Sequence, residues 1–580
     1  MLVFELSEQK KELLSQDGNL LVLGGPGSGK TTIALIKAKH KIQKKILKPK
    51  QKILFLSFAR ATVSRVEEQI SGMGFDKEIK WDIEINTYHG FTWEILKSHG
   101  YLLNGIKEIR LLPPPDAAAK LADIKNAHEL SKEKHRLFLE EGILHFDLFA
   151  EYSANLFSNS EILTSIYCDT YPIIILDEFQ DTNYSEWLFI KKLGSKSRIV
   201  ALADPEQRIY EFRGADPKRI KDYIDEFHPS IFDFEKENNR SNGTDIVKFG
   251  NDLLTGNING NTYQNIDIKY YANIRNVHNQ VKQVVLSSMQ RLNKSSSEWS
   301  LAILVPSKQL MLQVSDCLSR QQKFKNGKTF PIIKHEVALE KEALALSAVL
   351  IAGLMEQGEA DLEIKNRLIY HLVDYIRGRK GAGKITQADL KLSDALNSYL
   401  NTGKVRGNIR INIVSDCISI SQECSQLQFT GNPASDWIMV RDIIKKSNSE
   451  ILKFVERDSL YLRLLHKGSV LQSGLSELWR GSGNYKGAIS LVRNALLQEH
   501  FSRTSIVPKG VQIMTIHKAK GKEFDEVIIY EGIYNSRIVY NPDDKNELYK
   551  SQRLLRVAVT RAIKNVTLMT PSNDKCVLLR

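Results

Sequence analysis

Residues 20–31, LLVLGGPGSGKT, constrain the fold more than any other stretch of this 580-residue chain. The apolar run reads as a short buried strand, and the glycine-rich turn leads into an apolar-periodic helix from 32 to about 40. In that strand–loop–helix setting, GxxxxGK[ST] is a phosphate loop. Gly24, Gly25, Gly27 and Gly29 let successive N–H groups turn inward at a helix N-terminus and cradle phosphate oxygens, with Ser28 and Thr32 beside them. Lys30 can then reach the β- and γ-phosphates, and the Thr31 hydroxyl can ligate Mg²⁺. A nucleoside triphosphate site in an α/β fold is the consequence.

Magnesium needs a carboxylate as well, at the end of a neighbouring strand. The run 172–176, PIIIL, is an uninterrupted buried-strand pattern that ends in DEFQD, 177–181. Asp177 is placed to hold the metal through its water shell. Glu178, one residue on, is the candidate general base that polarises the attacking water.

Composition narrows the partners. Lys and Arg number 81 against 68 Asp and Glu, a net charge of +13, which matches a polyanion. Hydrophobic residues at 42% and charged residues at 26% exclude wholesale disorder. Cys168, Cys317, Cys417, Cys424 and Cys576 are scattered and odd in number. They form no disulfide framework or metal-site spacing, and they fit a reducing cytoplasmic setting. Glu5 and Glu8 interrupt the apolar stretch at the start, and no run of about 18 uncharged apolar residues follows, so neither a secretion signal nor a membrane span is expected.

Further segments stand in a characteristic order. DPEQRIYEFRGA occupies 204–215, NNRS 238–241, VQIMTIHKAKGKEFDEVIIY 511–530 and RLLRVAVTRA 553–562. Together with DEFQD, LSEQ (6–9), LSFAR (56–60) and NTYH (86–89), they resemble the motif set of the UvrD/Rep family of superfamily 1 DNA helicases over nearly the whole chain. The resemblance implies that Gln207 senses the γ-phosphate and that Tyr210 and Phe212 stack on bases of single-stranded DNA. Stacking is worth roughly 1–3 kcal/mol per base and tolerates any sequence. It makes Arg240 and Arg561 arginine fingers, Glu523 a ribose contact and Gln9 the residue that reads adenine, which selects ATP. Phe58, Arg60, Thr87, His89, Thr515 and His517 become DNA contacts. Ala59 and Arg60 replace the Thr and Asn usual after the phenylalanine, and Glu186 stands where the family often has Gln.

The implied architecture is two RecA-like lobes with mostly helical insertions. Lobe 1A takes 1–91 and 171–235, and the insertion 1B takes 92–170, broken by Pro113, Pro114 and Pro115. Lobe 2A takes 236–320 and 500–580, and the insertion 2B takes 321–499. Two basic stretches carry no catalytic signature: eight lysines between 37 and 52, read as a solvated face, and RGRKGAGK at 377–384, read as a mobile loop and the expected duplex contact. About twenty residues follow the last motif, so no appended nuclease is expected. The resemblance implies an ATP- and Mg²⁺-dependent motor, moving 3′→5′ on single-stranded DNA and opening duplex junctions. The alternative is a DNA-stimulated NTPase subunit that regulates or feeds a partner nuclease or another protein subunit, as in anti-phage defence.

Overall fold

Continuous apolar runs, rather than alternating ones, make the strands, because helices cover both faces of a parallel sheet. Leu20, Leu21, Val22 and the run Ile53, Leu54, Phe55, Leu56 are fully buried. The computed structural model describes every residue except 1–6, 59, 73–80, 107, 208–215, 235–236, 238, 259–260, 273–276, 324–328, 339–340, 357–360, 382–384, 460–469, 502–508, 534–535 and 580.

The strands in chain order begin with β1 (Leu20–Leu23), β2 (Ile53–Ser57), β3 (Ile83–Thr87), β4 (Arg110–Leu112) and β5 (Ile143–His145). Then come β6 (Ile173–Leu176), β7 (Arg198–Ala203), β8 (Ser230–Asp233), β9 (Ile266–Tyr271) and β10 (Ser300–Val305). The last are β11 (Gln322–Lys323), β12 (Thr329–Phe330), β13 (His335–Val337), β14 (Gly510–Thr515), β15 (Phe524–Tyr530) and β16 (Ala562–Pro571). One six-stranded sheet has the order β3-β2-β6-β7-β1-β8, and a second has the order β13-β14-β10-β15-β16-β9. Every pairing within both is parallel. Parallel neighbours need crossovers, so all strands of a sheet share one carboxyl edge, where ligands of such sheets bind.

The chain folds into two compact units. Residues 1–95, 150–338 and 503–580 form the first, which holds both sheets; 96–149 and 339–502 form the second. These limits differ from the insertion limits expected at 92–170 and 321–499. Helices Phe149–Asn159 and Glu161–Thr170 join the first sheet's layer: Phe157 stacks on Phe189 at 5.6 Å, and the Cys168 thiol donates to Leu193 O at 3.3 Å. Residues 335–337 stay with the second sheet because β13 pairs with β14.

Among the described residues the second unit is helical apart from the β4–β5 pair. Helix Lys341–Met355 is apolar nearly all round, and Ala348, Leu350, Ile351, Ala352 and Met355 are fully buried, which marks a central core helix. Helix Pro114–Lys120 packs against it, with Pro at the first position, where the missing N–H costs nothing. The three prolines therefore open a helix instead of breaking one. Gly378 gives that helix room, since a Cβ there would stand 3.0 Å from Pro115 O. Arg377–Asp123 and Arg493–Asp116 ion pairs tie the same two segments, so the two insertions pack together.

Lys44, Lys45, Lys48 and Lys50 are exposed, as a solvated face requires, but other residues of the two basic stretches are held by partners. Lys37 is buried, and its Nζ donates to Leu13 O at 2.7 Å and Leu14 O at 3.3 Å at the end of helix Glu8–Ser15. Burial and the neighbouring Lys41 push it down to about 8. Of the 377–384 stretch, Arg377 pairs with Asp123 while Arg379 and Lys380 pair with Asp389; 382–384 lie outside the described residues. Among the described residues no helix is long and apolar enough to cross a membrane.

Candidate active site

A cleft of about 260 Å³ opens beside the carboxyl edge of the first sheet, and residues of both sheets' loops line it. Its floor is the turn after β1. Gly27 (φ +77°) and Gly29 (φ +88°) adopt left-handed conformations, which a side chain would strain. Helix Lys30–Gln43 starts after Gly29 with no capping side chain, which leaves its first N–H groups open to an anion. The Ser28 hydroxyl is fully buried without a hydrogen-bond partner. The Lys30 ammonium folds back onto Gly24 O at 2.5 Å and Gly25 O at 3.1 Å. Burial pushes Lys30 down, against the pull of Asp204, Glu178 and Asp177.

The acids enter from the adjoining strands. Asp177 follows β6 and accepts from the Ser57 hydroxyl at 3.3 Å, at the end of β2. Burial, and then the Glu178 charge, push Asp177 up to about 6. Glu178 has φ +53°, a costly conformation for a non-glycine residue and one that collects at functional sites. Gln180 Nε2 donates to Glu178 Oε2 at 2.6 Å, and Lys520 Nζ stands 3.7 Å from the same oxygen. Burial raises Glu178, but Lys520, Lys30 and Arg561 outweigh it and hold the carboxyl below its usual range. The lowered value keeps it a charged carboxylate.

Gln207 ends the turn after β7 and is buried. Its Nε2 donates to Asp204 Oδ2 at 2.8 Å, and its Oε1 accepts from Arg561 Nη2 at 3.1 Å. Arg240 Nη2 pairs with Glu523 at 2.6 Å and Arg240 Nη1 donates to Thr560 O at 3.1 Å. Burial and then the neighbouring Arg240 push Arg561 down to about 9, against the pull of Glu178 and Glu523.

The remaining predicted residues occupy other positions. Phe58 stacks on the buried Tyr88, with centroids 4.2 Å apart and planes 17° apart, at the ends of β2 and β3. Thr87 Oγ1 accepts from Gly90 N at 2.9 Å, opening the helix that carries His89. Thr515 and His517 lie where β14 runs into a 3₁₀ turn, and burial lowers His517. Arg60 begins helix Arg60–Gly72, and Gln9 is exposed on helix Glu8–Ser15, outside the cleft lining. Tyr210 and Phe212 lie outside the described residues.

Two family models match this chain: the UvrD/REP helicase N-terminal domain over 6–138 and 116–228, and the UvrD-like helicase C-terminal domain over 223–573. The chain belongs to the UvrD-like helicase family. Similar proteins include the ATP-dependent DNA helicase PcrA of Staphylococcus epidermidis, 21% identical over 96% of this chain and 82% of the relative. DNA helicase II of Rickettsia typhi is 22% identical over 97% of this chain and 91% of the relative. The two sheets are thus the RecA-like lobes of a UvrD-like helicase, and the protein is an ATP hydrolase.

Several residues of this helicase cleft carry no role in the motif reading. Lys520 is buried and reaches Asp181 Oδ2 and, at 2.7 Å, Gln207 O. Arg65 pairs with Glu523 from the helix after β2, and Asn239 N donates to Gly27 O at 2.7 Å. The signal for Lys520 and Asn239 was their place inside KAKGKEF and NNRS. Arg65 had none, since a lone arginine on a helix is ordinarily a solvated charge.

Proposed function

We propose that this helicase moves 3′→5′ along single-stranded DNA in the cytoplasm, hydrolysing ATP between its two lobes and separating duplex at junctions. The observation that carries this is the cleft itself. Lys30, Asp177, Glu178 and Gln207 of one sheet's loops face it together with Arg240, Glu523 and Arg561 of the other's. Hydrolysis at such a seam changes what holds the lobes together, which is the requirement of a motor.

In this reading the phosphate loop and Lys30 bind the triphosphate, Gln9 reads the adenine and Glu523 the ribose. The oxygen donors Thr31 and Asp177 suit a hard divalent ion, and Mg²⁺ bound there would neutralise phosphate charge. Glu178 orients the attacking water and takes its proton. Gln207 contacts the γ-phosphate, and the planar guanidinium groups of Arg240 and Arg561 stabilise the transferring phosphoryl group. Phe58, Arg60, Thr87, His89, Tyr210, Phe212, Thr515 and His517 hold the strand. The sheet of Phe58 also positions Asp177, through Ser57, which supports a coupling between strand and phosphate. Separating duplex costs roughly 1.4 kcal/mol per base-pair step, well within what one ATP supplies.

Duplexes carrying a 3′ or a 5′ single-stranded tail test the direction. Strand separation with ATP is expected on the 3′-tailed duplex and not on the 5′-tailed one. The opposite polarity would overturn the assignment. Hydrolysis stimulated by DNA with no separation on either would favour a subunit that serves a partner nuclease.

A further inference from the structure

Arg556 lies within RLLRVAVTRA but is given no role by the motif reading, yet it is drawn into the first lobe's chemistry. It sits on helix Lys545–Val559, is 2% exposed, and its Nη1 stands 3.5 Å from Asp204 Oδ2. Gly250 makes room for its stem, because a Cβ there would lie 3.4 Å from Arg556 Cγ and 3.2 Å from Thr560 Cγ2. Its Nε is anchored by Asn251 Oδ1 at 3.2 Å. Its Nη1 is buried and makes no hydrogen bond.

Asp204 is the residue that occupies Gln207. Its Oδ1 accepts from Glu206 N at 3.0 Å, and its Oδ2 accepts from Gln207 Nε2 at 2.8 Å. The other end of the Gln207 amide takes the Arg561 guanidinium. To meet a phosphate oxygen, an acceptor, Gln207 must present Nε2, the group now bound to Asp204. Releasing it would leave a buried carboxylate oxygen unpaired, a costly state. Arg556 Nη1 is the donor waiting beside that oxygen.

We propose that Arg556 is a positioning residue for Gln207: when Gln207 Nε2 turns to the γ-phosphate, Arg556 Nη1 takes its place on Asp204 Oδ2. The exchange conserves hydrogen bonds and neutralises a carboxylate that would otherwise repel the phosphate. This rests on the assignment of Gln207 as the γ-phosphate contact.

The test is steady-state ATP hydrolysis by the full chain with saturating single-stranded DNA. Arg556→Gln is expected to lower kcat by about 10–100-fold with KM for ATP little changed, and Arg556→Lys to recover part of it. In an Asp204→Asn background, Arg556→Gln is expected to have less than about a twofold further effect, since no charge remains to neutralise. An undiminished loss in the Asp204→Asn background would reduce Arg556 to packing. Gln207→Ala separates the two ideas. Wild-type turnover in Gln207→Ala would defeat the sensor assignment, whereas a defect there with normal turnover in Arg556→Gln would defeat the exchange alone.

Discussion

Glu178→Gln is expected to lower the steady-state rate of ATP hydrolysis by about 10²–10⁴-fold while ATP still binds. The amide keeps the shape and can still meet Gln180, but it cannot take a proton from water. Binding is expected to survive because Glu178 faces Lys520, Lys30 and Arg561, which hold its carboxyl in the charged form. Removing that anion leaves the three cations with greater need of phosphate. Equilibrium binding of a fluorescent ATP analogue and single-turnover hydrolysis, measured on the same preparation, separate the two effects. Hydrolysis at the wild-type rate would remove Glu178 from the role of base.

Arg561→Ala is expected to cost about 10³–10⁵ in kcat, with a smaller effect on nucleotide affinity. Arg561 is buried, donates to Val557 O at 3.0 Å, and extends Nη2 to Gln207 Oε1. Its lowered pKa follows from burial beside Arg240, a position that favours an approaching anion. Charge builds on the phosphoryl group only as the bond breaks, so the loss falls mainly on kcat. Arg561→Lys is expected to rescue poorly, because an ammonium lacks the planar fork that contacts two oxygens. Turnover at saturating ATP and DNA checks this, and a kcat within about tenfold of wild type would argue against a finger role.

Local patterns carried the phosphate-binding side of the sequence reading. A strand, a glycine turn and a helix are contiguous, so Gly25, Gly27, Gly29 and Lys30 announce themselves within a dozen residues. The ion-pair partners were not legible, because they are set by tertiary approach. Nothing in the sequence pairs Lys520 with Asp181, Arg65 with Glu523, or Arg556 with Asp204. Residue charge also misled where burial decides: Lys37 looks like one of eight solvated lysines and instead caps a helix end. Helix Pro114–Lys120 packs against helix Lys341–Met355 although more than two hundred residues separate them, which periodicity within either segment does not encode.

The central claim is that hydrolysis in this cleft is coupled to single-stranded DNA. It is tested most directly by the steady-state ATPase rate with and without single-stranded DNA, using Lys30→Ala as the blank. Strong stimulation in the wild type, with no activity in Lys30→Ala under either condition, is the predicted result. Unchanged hydrolysis on adding single-stranded DNA, with the basal rate intact, would contradict it.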